Sequence, residues 1–120
     1  MDLDQLNCSV PMDYQSALER VGMDQTFLRE LIAMYKTEFS NFCRRIQEAV
    51  ESSDFPTVRM LAHSLKGSSA SLSFPGLRRI SEQLESAGDS RDPQCIEKNL
   101  AVLQKEYQRL NEFLADFEVV

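Results

Sequence analysis

The sequence predicts an all-α protein: an antiparallel four-helix bundle with a short additional helix at its N-terminal side. Three observations carry this. Apolar residues recur at helical spacing along most of the chain, and strand-like alternation is weak. Gly and Pro are few, four of each, and most fall between the periodic segments. The gaps between those segments are short, so neighbouring helices have to run antiparallel.

The elements follow in order. Residues 1–10 are expected to be a loose N-terminal extension, with the folded domain over 11–120. "DYQSALERVG" predicts a short helix from about Asp13 to Val21, closed by Gly22. Asp24 then caps a long helix with apolar positions at Phe27, Leu28, Leu31, Ile32, Tyr35, Phe39, Phe42, Ile46, Ala49 and Val50, ending near Ser52. Asp54 opens the next helix, with Pro56 tolerated in its first turn, and Val58, Leu61, Ala62, Leu65 and Leu72 turned to the core. After a break at "SFPG", Ser73 is expected to cap a helix carrying Leu77, Ile80, Leu84 and Ala87, with Gly88 as its end. Asp92 and Pro93 start the last helix, whose seam is Ile96, Leu100, Leu103, Tyr107, Leu110, Leu114 and Phe117. Its alternating steps of four and three suit a helix packed lengthwise in a bundle.

The totals bound the function. With 120 residues, 42% hydrophobic and 27% charged, the chain suits one compact domain. No apolar run is long enough to cross a membrane, and "MDLDQLNCSV" has neither the basic nor the apolar region of a signal peptide. Met1 and the self-contained set of helices lean towards a free-standing protein. Cys8, Cys43 and Cys95 are odd in number and widely spaced, which predicts free thiols in a reducing cytoplasm. A net charge of −6 argues against nucleic acid or an acidic membrane as partner. The charge is uneven: residues 56–81 hold Arg59, Lys66, Arg78 and Arg79 and no acid, a window of +4 that leaves −10 for the rest.

His63, the one histidine, sits in that basic window, in "MLAHSLKGSSASLS". On a helical wheel it shares a face with Arg59, Lys66, Gly67 and Ala70, away from the core positions. A lone surface histidine beside a lysine is usually no more than solvated polarity. Three features point further. Gly67 sits mid-helix, where it costs about 1 kcal/mol relative to Ala, and leaves open space one turn beyond His63. Lys66 can set a cation beside an anion carried by His63. The absence of acids in the window predicts little repulsion for a dianion. An imidazole of ordinary pKa, about 6.5, is largely neutral and nucleophilic at neutral pH. Together these suit a histidine that carries a phosphoryl group.

Other chemistry has less support. A metal centre in the bundle lacks a second histidine. Cys43 lies beside the apolar stripe of its helix and reads as a small core residue rather than the partner of a Cys–His pair. No phosphate-cradling Gly-rich loop is present. Ser64, Ser68, Ser69, Ser71 and Ser73 read as packing and capping residues rather than nucleophiles.

"AHSLKGSSASL", Ala62 to Leu72, closely resembles the motif of histidine-containing phosphotransfer (HPt) domains, roughly A-H-x-L-K-G followed by small residues. "VGMDQTFLRELIAMYKTEF" and "LRRISEQLE" resemble that family's flanking helices, and the likeness spans roughly Val10 to Phe117. The resemblance implies a phosphorelay intermediate. His63 would accept a phosphoryl group from a receiver-domain aspartate and pass it to another receiver. Lys66 matches the lysine that steadies the phosphoryl group, and Gly67 the glycine that clears space beside it. It further implies no cofactor and no metal on this chain, Mg²⁺ belonging to the receiver, and a carrier rather than an enzyme with its own turnover. Receivers of a hybrid sensor kinase or of response regulators are the implied partners of a monomer, and Arg59, Ser64, Ala70 and Arg78 are candidate docking residues. One stretch departs from the family: Ser71, Leu72 and Ser73 stand where members often have Asn, Leu or Ile, and Gly.

Two other readings compete. The dimerisation and phosphoacceptor domain of a histidine kinase also carries a histidine on a bundle, but usually with an acid directly after it and a proline a few positions on. Here Ser64 follows, and the next proline is Pro75. A helical interaction module that works without phosphorylation is the other.

Overall fold

The structure is a computed structural model that describes residues 10–117. Most of the expected N-terminal extension, Cys8 and the side chain of Phe117 lie outside what is described. Within it the fold is all-helical: α1 (Tyr14–Arg20), α2 (Gln25–Glu51), α3 (Phe55–Ser71), α4 (Pro75–Asp89) and α5 (Pro93–Phe117). No helix among the described residues is long and apolar enough to cross a membrane.

Aspartates start four of the five helices. Asp13, Asp24, Asp54 and Asp92 each accept a hydrogen bond from a backbone N–H of the first turn, at Ser16, Phe27, Thr57 and Cys95. Each satisfies an orphan donor and sets a negative charge at the positive end of the helix. The exception is α4, whose N-cap is Phe74, with no side-chain hydrogen bond. Ser73 does not cap α4. It ends α3 in the left-handed region, φ 58°, and its hydroxyl meets that of Ser16 at 3.2 Å.

The first four helices end alike. One residue beyond the C-cap turns left-handed: Gly22, Ser53, Ser73 and Arg91. The following N–H then folds back to the third-last helical carbonyl: Met23 to Leu18, Asp54 to Ala49, Phe74 to Ser69 and Asp92 to Ala87. Asp54, Phe74 and Asp92 are at once the closing residue of one helix and the N-cap of the next. The connections after α2, α3 and α4 are therefore three residues long. Gly88 does not end α4; that helix continues to Asp89, and Arg91 makes the turn.

The buried faces meet around one core. Helix α3 packs on α2 and α4, and α5 packs on α4 and α2, so the contacts form a closed circuit; α1 lies on α2. The expected seam of α5 is buried from Ile96 to Leu114, with Tyr107 half-buried. An aromatic run crosses the core: Phe74 is edge-on to Tyr35 at 5.0 Å, Tyr35 tilts on Phe39 at 6.1 Å, and Phe39 stacks on Tyr107 at 3.7 Å. Phe27 differs from expectation. It is 46% exposed, while Leu28 beside it is fully buried.

One polar contact ties α2 to α3 inside this core. The Tyr35 hydroxyl lies 2.8 Å from Ser69 Oγ, and Ser69 itself donates to the Leu65 carbonyl at 2.7 Å. The serine proton is thus used, so Tyr35 donates. Burial pushes the Tyr35 pKa up and keeps that proton in place. The two truncations should differ. Tyr35→Phe removes one hydrogen bond and leaves Ser69 bonded to Leu65, a loss of about 1 kcal/mol; Ser69→Ala strands a buried hydroxyl, a loss of about 2 kcal/mol. Urea unfolding of both variants measures this, and an equal or larger loss for Tyr35→Phe contradicts it.

Candidate functional site

Helix α3 presents His63 to solvent, its side chain 66% exposed. The core positions Ala62 and Leu65 on either side of it are buried, which fixes the turn from which the imidazole projects. The ring is nevertheless held. Its Nδ1 lies 2.8 Å from Glu85 Oε2 on α4. A carboxylate only accepts, so Nδ1 carries the proton, and in the neutral ring the lone pair is then on Nε2. Nε2 has no hydrogen-bond partner among the described residues.

Lys66 meets the same carboxylate: its Nζ lies 2.8 Å from Glu85 Oε1. Glu85 is thus shared, one oxygen to each partner, and only 14% exposed. The hydrogen bond from Lys66 is the chief reason its pKa lies below the usual carboxylate range, with the His63 hydrogen bond adding to it against the opposing pull of burial. Gly67 faces open space, where an added Cβ would meet nothing within 4 Å. Ser64 and Ser68 are exposed beside it.

The expectation of acid-free surroundings is wrong. Arg59 Nε pairs with Asp89 Oδ1 at 2.9 Å, Lys66 with Glu85, and Arg78 more loosely with Glu82 at 3.8 Å. The basic window ends at Ser81, and the acids that neutralise it begin at Glu82 on the same helix face. Helical-wheel spacing on α3 alone says nothing of what α4 lays against it. A signal was present: Glu82, Glu85 and Asp89 are spaced i, i+3 and i+7, a complement to Arg59, His63 and Lys66 across a three-residue turn.

The structure therefore brings Arg59, His63, Ser64, Lys66 and Gly67 together with Glu85 and Asp89. Ala70 lies half-buried one turn further along α3. Arg78 stands apart, about two helical turns from Glu85 along α4 and paired on its own helix. Cys43 is buried on α2, and burial pushes its thiol up to about 11. It is a protonated core residue, and the imidazole's partner is Glu85. Among the described residues no cluster of three or more His, Cys, Asp or Glu side chains could hold a metal ion.

Comparison with known proteins shows a family. The Hpt domain family matches residues 30–113, which take in α3, α4, most of α2 and α5, and the whole His63–Glu85–Lys66 cluster. The chain belongs to the Hpt domain family, the histidine phosphotransfer modules of two-component signalling. It is also similar to multistep phosphorelay regulator 1 of Schizosaccharomyces pombe, 27% identical over 107 residues. That similarity covers 78% of this chain and 36% of the relative, so the chain spans about a third of the relative's length.

Because the Glu85 pKa is lowered in the folded state, its contribution to stability is complete above the ordinary carboxylate range. It is lost as pH falls through the lowered value. Glu85→Gln should remove that part of the acid dependence. Unfolding midpoints in urea, compared between about pH 6 and about pH 3, should fall less steeply for Glu85→Gln than for the wild type. Parallel slopes contradict the assignment.

Proposed function

We propose that this chain is a phosphorelay intermediate that carries a phosphoryl group on Nε2 of His63, taking it from a receiver-domain aspartate and passing it to another. One observation carries this reading: a single carboxylate binds Nδ1 and leaves the other ring nitrogen open to solvent in a chain of the Hpt domain family. The domain is residues 11–120, and its packing circuit and short turns support an antiparallel four-helix bundle closed by one chain. That closure favours a monomeric carrier over the two-chain bundle of a kinase dimerisation domain. The reading places it in the cytoplasm, where receivers work.

The chemistry balances without a group on this chain beyond its side chains. The Nε2 lone pair attacks phosphorus, the bond from phosphorus to the receiver's carboxylate oxygen breaks, and its electron pair leaves on that carboxylate. The phosphorylated ring keeps its Nδ1 proton and gains positive charge, which Glu85 offsets at 2.8 Å. In the reverse direction the pair returns to Nε2 and the ring leaves as neutral imidazole. Lys66 has three ammonium donors and Glu85 uses one, so two remain for phosphoryl oxygens. No cofactor is required here; Mg²⁺ belongs to the receiver, which supplies most of the catalysis. The chain is thus a carrier and not an enzyme.

Docking draws on the strip of small exposed residues along α3. Ser64, Gly67, Ser68 and Ser71 let a partner backbone approach, and Ser68 and Ser71 run into an apolar groove of about 210 Å³ lined also by Leu31, Met34 and Phe42. Arg59 and Ala70 flank the strip. Arg59 and Arg78 are already paired, so their part in docking is to exchange partners rather than to offer free charge.

Incubation with a phosphorylated receiver should leave acid-labile, base-stable label on the wild type and none on His63→Gln, whose circular dichroism should match the wild type. Label on His63→Gln overturns the assignment. Gly67→Gln should stabilise the free helix by up to about 1 kcal/mol, since Gly is the poorer helix former. It should also slow transfer at least about tenfold, because the new side chain fills the approach to His63. Unchanged transfer contradicts the docking account.

A further inference from the structure

Glu85 can hold both His63 and Lys66 only if α3 and α4 lie at one spacing, and Gly88 sits where that spacing is set. A Cβ built on Gly88 would stand 3.1 Å from the backbone nitrogen of Arg59 and 3.3 Å from its Cα. Both are tighter than ordinary contact, and both involve main chain, which no rotamer change can relieve. Gly88 is one turn beyond Glu85, and Arg59 is one turn before His63. The contact numbers fall along α4 as they rise along α3: Arg59 with Gly88 and Asp89, His63 with Glu85, Lys66 with Glu85. The close approach and the shared carboxylate are therefore adjacent rungs between the same two helices.

We propose that Gly88 is a positioning residue for the site: by letting the backbones of α3 and α4 close on each other at Arg59, it holds Glu85 within reach of both His63 and Lys66. A methyl group there forces the helices apart by a few tenths of an ångström. That takes each 2.8 Å bond towards the long end of the hydrogen-bond range, and of the two partners the exposed imidazole is the one held by least else. The glycine also explains itself energetically. It costs about 1 kcal/mol inside a helix and makes no turn, so its retention in α4 needs a packing reason.

The claim about spacing stands on geometry alone; its consequence for transfer rests on the reading of His63 as the phosphoryl carrier. The chain has one histidine, so ¹⁵N-histidine labelling gives one imidazole spectrum. In the unphosphorylated wild type it should show a protonated Nδ1 and an unprotonated Nε2. Gly88→Ala should shift it towards the tautomer mixture of free histidine, as should Glu85→Ala, and should add nothing in the Glu85→Ala background. Asp89→Asn removes the Arg59 ion pair without steric change and should leave the ring spectrum as it was. Transfer from a receiver should slow about tenfold in Gly88→Ala, since misplacement by a full ångström costs about a hundredfold. A folded Gly88→Ala chain with the wild-type ring spectrum overturns the proposal. So does a shift in Asp89→Asn as large as that expected of Gly88→Ala, which would give the role to the ion pair; this arm holds even if Gly88→Ala fails to fold. Absence of label from any receiver would sink the carrier reading and leave the ring result untouched.

Discussion

The Glu85 carboxylate is the interaction around which the face of α3 and α4 is organised. A half-buried carboxylate is steadied by partners, and it has two, one on each oxygen. Those partners are the imidazole and the ammonium that the proposed chemistry uses. Without Glu85 the ring would sample both tautomers, and Lys66 would be a mobile surface cation. With it, one ring nitrogen is committed and the other is left outward. Structural satisfaction of one acid and preparation of one nucleophile are the same event.

Several features of the fold serve that contact. Left-handed residues and doubly used caps give three-residue turns between the long helices, so α4 returns along α3 within a few residues of leaving it. Three of the four left-handed C-terminal positions are Ser or Arg, which bear a cost of about 1 kcal/mol that Gly would not. The backbone hydrogen bonds that close each turn compensate. On the far side of α3, the Tyr35–Ser69 pair fixes how α2 lies against it, since a buried polar pair satisfies itself in one register only.

The sequence made one scale of organisation legible and hid another. Period-3.6 apolar patterns place Ile32, Ile46, Leu65, Leu84 and Leu103 in the core, where they are. Asp24, Asp54 and Asp92 are legible as helix starts because the capping bond is local, three residues from acceptor to donor. Phe27 departs from the pattern: it sits at the edge of the apolar stripe, next to the buried Leu28, and is exposed. Ser73 and Gly88 misled because a capping serine and a terminal glycine are the commoner uses of those residues. What each does here depends on Ser16 and on the Arg59 backbone, far off in sequence. Glu85 is hidden for the same reason: the basic window lies along the chain, whereas its neutralisation happens across helices. His63, Lys66 and Gly67 were legible because they share one helix face, and resemblance to the Hpt family tied them to phosphotransfer.

The central claim is atomic: phosphorus bonds to Nε2 of His63 while Nδ1 stays protonated against Glu85. The most direct measurement is heteronuclear NMR of ¹⁵N-histidine-labelled protein after phosphorylation by a receiver loaded from a small acyl phosphate. The account predicts phosphorus–nitrogen coupling at Nε2 and a retained proton at Nδ1. Coupling at Nδ1, or phosphorus on any other residue, would contradict it.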